Sequence, residues 1–531
     1  MRTGATSLSP SQDEVVAFLS TAAAYGPDTP SVERIETHGA LVFLAGGLVY
    51  KIKRAVRFPY MDFSTVELRR RACERELEIN RPQAVETYRD LVAITRDSDG
   101  RLAIGGAGTP VEWAICMQRF AQSDLLSSLA ATGEINRELA RDLADAVVTY
   151  HRAATVLRLA DPIAQLAAVI AEVSEGLSAA ASFRASDTDT FARERRRHLA
   201  TCAGILCRRN EAGHVRRCHG DLHLGNIVMW RGRPTMFDAL EFDEALATID
   251  TLYDLAFLLM DLDLRGQRAA ANLVLNRYLW RTQEPLDLAA LAALPLFLGL
   301  RAGIRAMVGA QKVLQLPPSS RDVPDAASRP NSYLAAAIAY LHPLLPCLVA
   351  VGGLSGTGKS TLAASLAPLL GPAPGAVHLR SDLERKAQLG VAEAERLPAH
   401  SYTAEASRNV YSILAAKART AVAAGQAVSV AAAFLTAAEL DAVSQLASDL
   451  GVPFAGLWLT APEATLLSRV AARTGDASDA TPDVVRQQRA RHSERVEWIT
   501  IDAGGSSNRT RQSAIAALKT HDGIELRRRQ V

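Results

Sequence analysis

The first third of the chain shows the alternation of apolar and polar residues that is typical of β-strands. The run ALVFLAGGLVYKIKR (40–54) predicts a hairpin around its central Gly-Gly pair. Alternation in the second strand places Lys51 and Lys53 on the same face. Another β-rich run, VEWAICMQRF, occupies residues 111–120. We therefore expect a small sheet near the N-terminus.

Helical periodicity dominates the next part of the chain. The segment 64–81 predicts a helix, opened by Ser64 with Glu67 three residues later as a capping box. Residues 121–345 are predicted to be nearly all helical. The exception is 218–242, which indicates a loop and a short strand pair joined by the turn RGRP.

The pattern changes after a segment rich in Pro, Ser and Asp (315–332), interpreted as an interdomain linker or a long loop before one last helix. Short buried-strand candidates then alternate with helical segments, which predicts a parallel α/β sheet. These candidates are CLVAVGG, GAVHLRSD, AVSVAAAF and PFAGLWLTA. We expect two domains, 1–345 and 346–531.

Composition excludes some classes of function. The net charge is only +2 over 531 residues, so it indicates neither nucleic acid nor a membrane surface as partner. The basic run 192–209 is interpreted as the solvated face of a helix rather than a phosphate-binding patch. The N-terminus lacks the pattern of a signal peptide, no membrane span is predicted, and the six cysteines are scattered. A cytoplasmic protein is expected; no pattern specifies an oligomeric state.

The loop CHGDLHLGNIV (218–228) carries the first candidate chemistry. Phosphoryl transfer to a hydroxyl needs a carboxylate to accept the hydroxyl proton and ligands for Mg²⁺. Asp221 is the candidate base and Asn226 a candidate ligand, with Gly220 where a kinase loop usually has Arg. Asp238, in TMFDALEF, stands where a second Mg²⁺ ligand is expected. The alternative is that these residues only cap a turn and end a strand.

The nucleotide-binding parts of this site are expected upstream. One lysine of the hairpin should reach the α/β-phosphates of ATP, and we assign Lys51 rather than Lys53. Its expected partner is Glu76 on the next helix. Met117 lies where an adenine-binding hinge would join two lobes. A solvated lysine, a surface glutamate and a core methionine are the alternatives.

The stretch GGLSGTGKST (352–361) matches G-x-x-x-x-G-K-[ST] at every position, between a predicted strand and a predicted helix. Its glycines let successive backbone N–H groups converge on a phosphate at a helix N-terminus. Lys359 would neutralise the β/γ-phosphates and Ser360 would bind Mg²⁺. The predicted ATP-binding residues are Gly353, Ser355, Gly356, Thr357, Gly358, Lys359, Ser360 and Thr361.

Further candidates follow this motif. Asp382 ends the second predicted strand and would face the acceptor hydroxyl or the metal. Arg385 is a candidate for gripping the substrate, with a solvated arginine as the alternative. Arg469 and Arg473 are four residues apart on a helix, which would suit a lid over the phosphates, and Arg473 is assigned a catalytic role.

Residues 35–345 resemble the aminoglycoside phosphotransferase family through HGDLHLGN, Asp238 and the helix IDTLYDLAFLLMDL. The resemblance implies an α+β, protein-kinase-like, two-lobed domain with an N-lobe over about 35–120 and a helical C-lobe over 121–345. It also implies ATP and Mg²⁺ as cofactors and a small-molecule hydroxyl as acceptor. Asp254 would support the catalytic loop from the following helix.

The second half resembles P-loop kinases related to zeta toxins and gluconate kinase, an α/β fold with a mainly parallel sheet. The whole chain resembles bifunctional aminoglycoside phosphotransferase/ATP-binding proteins. One departure stands in VSVAAAFL, where Ala431 replaces an aspartate of the family pattern. If that carboxylate orients the Mg²⁺ shell, its loss should weaken transfer more than nucleotide binding.

The leading hypothesis is a phosphotransferase with two fused kinase domains. The alternative is a regulatory protein whose P-loop domain binds ATP with little turnover. A third hypothesis, from the likeness to zeta toxins, is a kinase acting on a nucleotide-sugar.

Overall fold

The computed structural model describes residues 10–37, 39–58, 61–315, 323–472, 477–492 and 496–527. These residues form two compact units. Unit 1 comprises the described parts of 1–135, 149–158 and 213–254; unit 2 comprises 136–148, 159–212 and the described residues from 255 onward.

The strands, in chain order, are β1 Val32–Glu36, β2 Ala40–Ala45, β3 Leu48–Lys53, β4 Arg57–Phe58, β5 Met61–Asp62, β6 Tyr88–Arg96, β7 Leu102–Ile104, β8 Thr109–Gln118, β9 Val215–Arg217, β10 Ile227–Trp230, β11 Arg233–Met236, β12 Thr248–Asp250, β13 Leu348–Gly353, β14 Val377–Arg380, β15 Val428–Ala431, β16 Phe454–Thr460 and β17 Ile499–Asp502.

The α-helices are α1 Pro10–Leu19, α2 Val66–Asn80, α3 Leu126–Thr132, α4 Arg137–Ala153, α5 Pro162–Ala179, α6 Ala185–Glu211, α7 Glu244–Ala247, α8 Thr251–Leu264, α9 Arg268–Thr282, α10 Pro285–Ala289, α11 Leu294–Gln315, α12 Val323–Leu341, α13 Lys359–Leu366, α14 Ser381–Gln388, α15 Ala404–Ala423, α16 Ala437–Asp449, α17 Glu463–Ala471, α18 Pro482–Arg491 and α19 Ser507–Lys519.

Unit 1 is built on an antiparallel sheet of six strands in the order β1-β2-β3-β8-β6-β7. The predicted hairpin is confirmed as β2 and β3, and the predicted run at 111–120 is most of β8. The strand pair near the catalytic loop is confirmed as β10 and β11. Arg231 and Gly232 at its turn both have positive φ, which a tight two-residue hairpin requires.

The start of helix α2 differs from the prediction. Thr65, not Ser64, is the N-cap, and its side chain accepts a backbone N–H of the first turn. Ser64 instead donates to the carboxylate of Asp62, which holds it in the preceding turn. Glu67 pairs with Arg70 and Arg71 of the same helix rather than closing a capping box.

Unit 2 contains a sheet of five parallel strands in the order β14-β15-β13-β16-β17. The four predicted strands are confirmed, and β17 was not predicted. The central strand β13 is buried along its whole length, which explains why its sequence is a continuous apolar run. Its side chains pack against helix α13 and share a buried apolar cluster with residues of α19.

Helix α9 covers β14, one of the two edge strands of this sheet. Asn272 and Asn276 donate side-chain N–H groups to the backbone carbonyl of Ala376, and the Asn276 oxygen accepts the backbone N–H of His378. Side-chain amides thus satisfy groups that an edge strand leaves unpaired. Helices before residue 345 therefore share a compact unit with the P-loop sheet. The domain boundary between residues 345 and 346 stays a prediction from the sequence.

Two other expectations are corrected within unit 2. Residues 323–332 of the expected linker or loop lie in helix α12, while 316–322 are outside the described residues. In the basic run, Arg195 and Arg209 are fully buried rather than solvated. Arg195 donates to the carbonyl of Ile170, and Arg209 pairs with Asp287 at 2.7 Å. Each of these guanidinium groups therefore has a buried partner.

Among the described residues, one apolar stretch, Pro285–Val313, is long enough to cross a membrane, but 83% of its most apolar window is buried inside the protein. This degree of burial is typical of the core helix of a soluble protein.

Candidate active sites

Strand β3 and helix α2 bring two lysines onto one glutamate. The Lys51 ammonium lies 2.8 Å from Oε1 of Glu76 and 2.5 Å from Oδ1 of Asp238. Lys53 lies 2.5 Å from the other oxygen of Glu76 and also pairs with Glu241. The side chain of Lys51 is 12% exposed and that of Lys53 only 3%, so Lys51 is the more accessible cation.

The neighbouring charges in this cluster determine the protonation states of its members. Burial opposes the charge on Glu76, but Lys51 and Lys53 outweigh it and lower the pKa of that carboxyl to about 2. Burial also opposes the charge on Lys51, but Asp238 and Glu76 raise its pKa above the ordinary value. Burial raises the pKa of Glu241. A cationic lysine is therefore held beside Asp238 at neutral pH.

This pKa shift predicts how unit 1 responds to acid. The folded pKa of Glu76 is about 2 and its ordinary value 4.5, so its contribution is complete above pH 4.5 and lost as the pH falls toward 2. That contribution is on the order of 3 kcal/mol. We expect the difference in unfolding free energy between wild type and Glu76→Gln to shrink over this range. Denaturant melts at a series of pH values measure it; a constant difference would contradict the prediction.

Asp238 is positioned by two side chains that sequence reasoning missed. The hydroxyl of Tyr88 accepts the backbone N–H of Asp238 at 3.1 Å and lies 3.3 Å from Glu76. The Asn80 oxygen accepts the N–H of Ala239 at 2.8 Å. Asp238 has a φ of 59°, a left-handed conformation that costs energy for a residue other than glycine. These contacts hold the strained residue beside Lys51.

The catalytic-loop candidates also lie together. The Asn226 amide donates to Oδ2 of Asp221 at 2.9 Å and to the Asp221 carbonyl at 3.0 Å. Asp221 is 43% exposed at its side chain, so a hydroxyl compound can reach it. Nε2 of His223 lies 3.4 Å from the same carboxylate. The Asn226 side chain thus closes the loop, and the Asp221 carboxylate faces solvent.

Asp254 anchors this loop, as the resemblance implied. It is fully buried on α8, and its two oxygens accept the backbone N–H groups of His219 and Gly220 at 3.1 and 3.0 Å. Gly220 has a φ of 81°, and a Cβ there would lie 3.1 Å from the Cβ of Leu240, which explains the absence of the usual arginine.

His219 connects the loop to the segment that carries Asp238. Its Nδ1 accepts the N–H of Asp221 at 3.3 Å, which leaves Nε2 to donate to the carbonyl of Phe237 at 3.0 Å. Burial lowers the pKa of His219, although Asp254 and Asp221 oppose this, so the ring stays neutral and holds that tautomer.

Met117 packs in the core of unit 1. It is 6% exposed and belongs to a cluster with Val49, Tyr88 and Ile115. Its role toward a nucleotide stays a prediction.

In unit 2 the P-loop has the backbone that its motif requires. Gly353, Gly356 and Gly358 all have positive φ. A Cβ on Gly356 would lie 2.8 Å from the carbonyl oxygen of Leu466, so glycine is needed there for space as well as conformation. Helix α13 begins at Lys359 directly after the loop, and Ser360 and Thr361 follow in its first turn. The loop therefore ends at a helix N-terminus, as anion binding requires.

Three groups of the loop already have protein partners. The N–H of Ser355 donates to Oε1 of Gln488 on α18 at 2.8 Å, and the ammonium of Lys359 donates to the carbonyl of Leu354 at 2.9 Å. The side-chain hydroxyl of Thr357 donates to the same carbonyl. A phosphate bound by Ser355 N–H would displace Gln488.

Asp382 lies in the first turn of α14, just after β14. Parallel strands bring their carboxyl ends to one edge of the sheet, so Asp382 and the P-loop lie at the same edge. Arg385 is 8% exposed and donates to the carbonyl of Ser401 at 2.7 Å, with its guanidinium 4.8 Å from the ring centre of Tyr402. The alternative of a solvated arginine is wrong for Arg385.

The predicted lid is described in part. Arg473 lies outside the described residues. Arg469 donates to the carbonyls of Ala503 and Gly505, so it supports the loop after β17 in this structure. Asp479, in the loop that follows, accepts from the hydroxyl of Tyr402 at 2.6 Å and from Lys386. Asp479 was not among the candidates predicted from the sequence.

Ala431 ends β15 and is 3% exposed. It pairs in register with Val351 of β13 and Arg380 of β14 and belongs to the apolar core of the sheet. The position therefore reaches the functional edge of the sheet but carries no group that can bind a metal.

Comparisons with known families agree with this architecture. Residues 103–294 match the family described as "Phosphotransferase enzyme family", and residues 348–495 match the family described as "AAA domain". The first match supports a phosphotransferase domain and the second a P-loop domain of the kinase-like type, and both imply ATP as co-substrate. The first match includes Asp221, Asn226 and Asp238; Lys51 and Glu76 precede it.

The chain is similar over nearly its whole length to uncharacterized proteins of Mycobacterium tuberculosis and Mycobacterium bovis. The identity to each is 28% over 494 residues, which is 91% of this chain and 94% of the relative. The similarity to these relatives therefore extends over both halves of the chain.

Several solved structures are similar to parts of this chain. A choline/ethanolamine kinase family protein from Mesorhizobium loti is 17% identical and covers 62% of this chain and 99% of its own, with a TM-score of 0.36. A GDP complex of an aminoglycoside 2′-phosphotransferase is 16% identical and covers 61% and 97%, with a TM-score of 0.37. A gluconokinase from Sinorhizobium meliloti is 19% identical and covers 33% and 93%, with a TM-score of 0.25.

Proposed function

We propose that the protein is an ATP- and Mg²⁺-dependent kinase with two phosphotransferase sites, each acting on a hydroxyl group of a small molecule. In unit 1, Asp221 accepts the proton of the attacking hydroxyl and Lys51 neutralises the α/β-phosphates of ATP. In unit 2, the P-loop binds ATP and Asp382 faces the acceptor. The protein acts in the cytoplasm, without nucleic acid or membrane partners.

The observation that carries the proposal is the Lys51–Glu76–Asp238 cluster beside an anchored catalytic loop. Lys51 is held between two carboxylates, and the loop that presents Asp221 is fixed by Asp254 through two backbone N–H groups. Phosphoryl transfer depends mainly on such positioning and on electrostatic stabilisation of phosphate charge. A phosphate placed beside Lys51 would take over part of its contact with Asp238.

The donor atoms of unit 1 fit magnesium. Asp238 and Asn226 offer a carboxylate and an amide oxygen, the hard ligands that Mg²⁺ prefers. In unit 2, the Ser360 hydroxyl and the Asp382 carboxylate are of the same kind. An ion held by these groups would supply positive charge to the phosphate oxygens of ATP. Lys51 and Lys359 bring positive charge to the same phosphates, and Asp221 takes the proton.

The test uses metabolite extract and radiolabelled ATP with the full chain. We expect labelled products that Asp221→Asn removes, others that Lys359→Ala removes, and none from the double variant. The second site acts either on the same metabolite or on a related one, and tethering then raises the effective concentration of the first product at the second site. No labelled product from wild type over a broad panel of alcohols and sugars would overturn the proposal.

The second candidate function is regulation by nucleotide binding at unit 2, and Ala431 is the observation that favours it. Ala431 ends β15 in the apolar core, at the position where a carboxylate that orients the metal would stand.

Restoring that carboxylate gives a prediction. If position 431 orients the metal, Ala431→Asp should raise ATP turnover by unit 2 about tenfold or more, while Ala431→Asn, of equal size and uncharged, should not. ADP release by variants in the Asp221→Asn background measures it, with melting temperature as the folding control. Equal turnover in both variants would remove the inferred metal role.

A further inference from the structure

A cavity of about 300 Å³ lies in unit 2, beside the edge strand of the parallel sheet. Its floor is β14, and its walls come from α9, α15 and the start of α4. Neither the P-loop residues 353–361 nor Asp382 line it, so it is separate from the proposed ATP site. Its size is at the lower end of the range for sites that enclose small organic molecules.

Positive charge dominates the lining. Five cationic side chains face three carboxylates; the cations are Arg137, Arg141, Arg277, Arg380 and Lys417, and the carboxylates are Glu284, Glu384 and Glu393. The Glu393 carboxylate is shared by three guanidinium groups, from Arg277 at 2.9 Å, Arg141 at 3.2 Å and Arg380 at 3.7 Å. Arg277 also pairs with Asp145 at 2.6 Å. Cationic side chains still outnumber carboxylates along the lining, so the wall favours an added anion.

His378 projects from β14 into this lining with one ring nitrogen unused. Its Nε2 is buried and has no hydrogen-bond partner among the described residues. Burial, with Arg380 and Arg137 nearby, lowers the pKa of the ring to about 3, so it is neutral at neutral pH. A buried polar atom without a partner is costly, and a ligand that accepts an N–H from this ring would remove the cost.

The remaining wall is apolar and partly flat. Trp280 lines the cavity together with Leu279, Leu288 and Leu383. The indole N–H donates to the carbonyl of Leu383 at 3.3 Å, which fixes the ring, and the guanidinium of Arg277 lies 5.8 Å from its centre. A planar apolar body can lie against this wall while its anionic group reaches the arginines.

We propose that this cavity is a binding site for a small organic anion. The carboxylate or phosphate group of the ligand is held by the arginines around Glu393 and by the ring of His378, and its planar apolar part lies against Trp280.

Phenyl phosphate and benzoate test the two kinds of anionic group. We titrate each into the full chain by calorimetry and follow tryptophan fluorescence, and we expect a Kd of about 1 mM or lower for at least one of them. His378→Phe, which keeps a ring of similar size and removes both nitrogens, should weaken binding about tenfold. Ala416→Phe adds a ring at the cavity wall on an exposed face of α15 and should weaken it at least as much.

Two controls make the result specific. Ala516→Phe places the same ring on the exposed face of α19, away from the cavity lining, and should bind like wild type. Lys519→Ala removes an exposed lysine at the end of α19, also away from the cavity lining, and should bind like wild type. If His378→Phe does not fold, as judged by its melting curve, Ala416→Phe decides. No binding of either probe, or equal binding in wild type and both cavity variants, would overturn the proposal.

Discussion

Replacing Asp221 with asparagine is expected to lower phosphoryl transfer by unit 1 about a thousandfold. An amide cannot accept the proton of the attacking hydroxyl, and a positioned general base contributes about 10²–10⁴ in rate. The KM for ATP should change little, because the lysine assigned to the phosphates, Lys51, is held by Glu76 and Asp238. Initial rates with the acceptor identified from extract measure both quantities.

The fold of this variant should be intact. Asp221 is 43% exposed, and an asparagine oxygen can still accept the N–H of Asn226. Asp99→Asn is the matched control, since its carboxylate is 69% exposed in unit 1 and takes no part in the cluster. If Asp221→Asn keeps more than about a tenth of the wild-type rate with an unchanged melting temperature, Asp221 is not the general base.

The part of the first site that lies within one short segment could be predicted from the sequence. Asp221, Asn226 and the loop between them follow from a fixed spacing, and the structure brings them together by local hydrogen bonds. The pairing of Lys51 with Glu76 also followed, because strand and helix periods each restrict which faces can meet. The structure adds that Lys53 shares the same glutamate.

The residues that sequence reasoning missed come from other elements. Tyr88 begins β6 and Asn80 ends α2, and both reach Asp238 or its neighbour only through tertiary packing. No local pattern distinguishes them from other buried polar residues. The same holds for Arg195 and Arg209, whose basic run indicated a solvated face although each has a partner on another helix.

The P-loop is predictable for the opposite reason. Its function depends on backbone N–H groups, and the glycines that permit the backbone are written in the motif. The contacts of Asn272 and Asn276 with the neighbouring edge strand could not be predicted, since two asparagines in a helical segment do not indicate which strand they contact.

Lys359→Ala is expected to lower turnover by unit 2 about a hundredfold or more and to weaken its affinity for ATP. The lysine brings the positive charge that the motif aims at the β/γ-phosphates, and removing one preorganised electrostatic contact typically costs 10²–10³ in rate. In this structure its ammonium group donates to a backbone carbonyl of the same loop, a contact that a bound phosphate would replace. Turnover and nucleotide titrations in the Asp221→Asn background isolate unit 2.

Lys519→Ala is the matched control, because this lysine is exposed at the end of α19 in the same unit. Comparing how much turnover and ATP affinity each of the two variants loses distinguishes the candidate functions. If unit 2 is a kinase, Lys359→Ala removes product and Lys519→Ala does not. If unit 2 is a nucleotide-binding regulator, wild-type turnover is already negligible, and Lys359→Ala reduces only ATP affinity. Unchanged affinity and unchanged turnover in Lys359→Ala would contradict both, because each requires the lysine to contact phosphate.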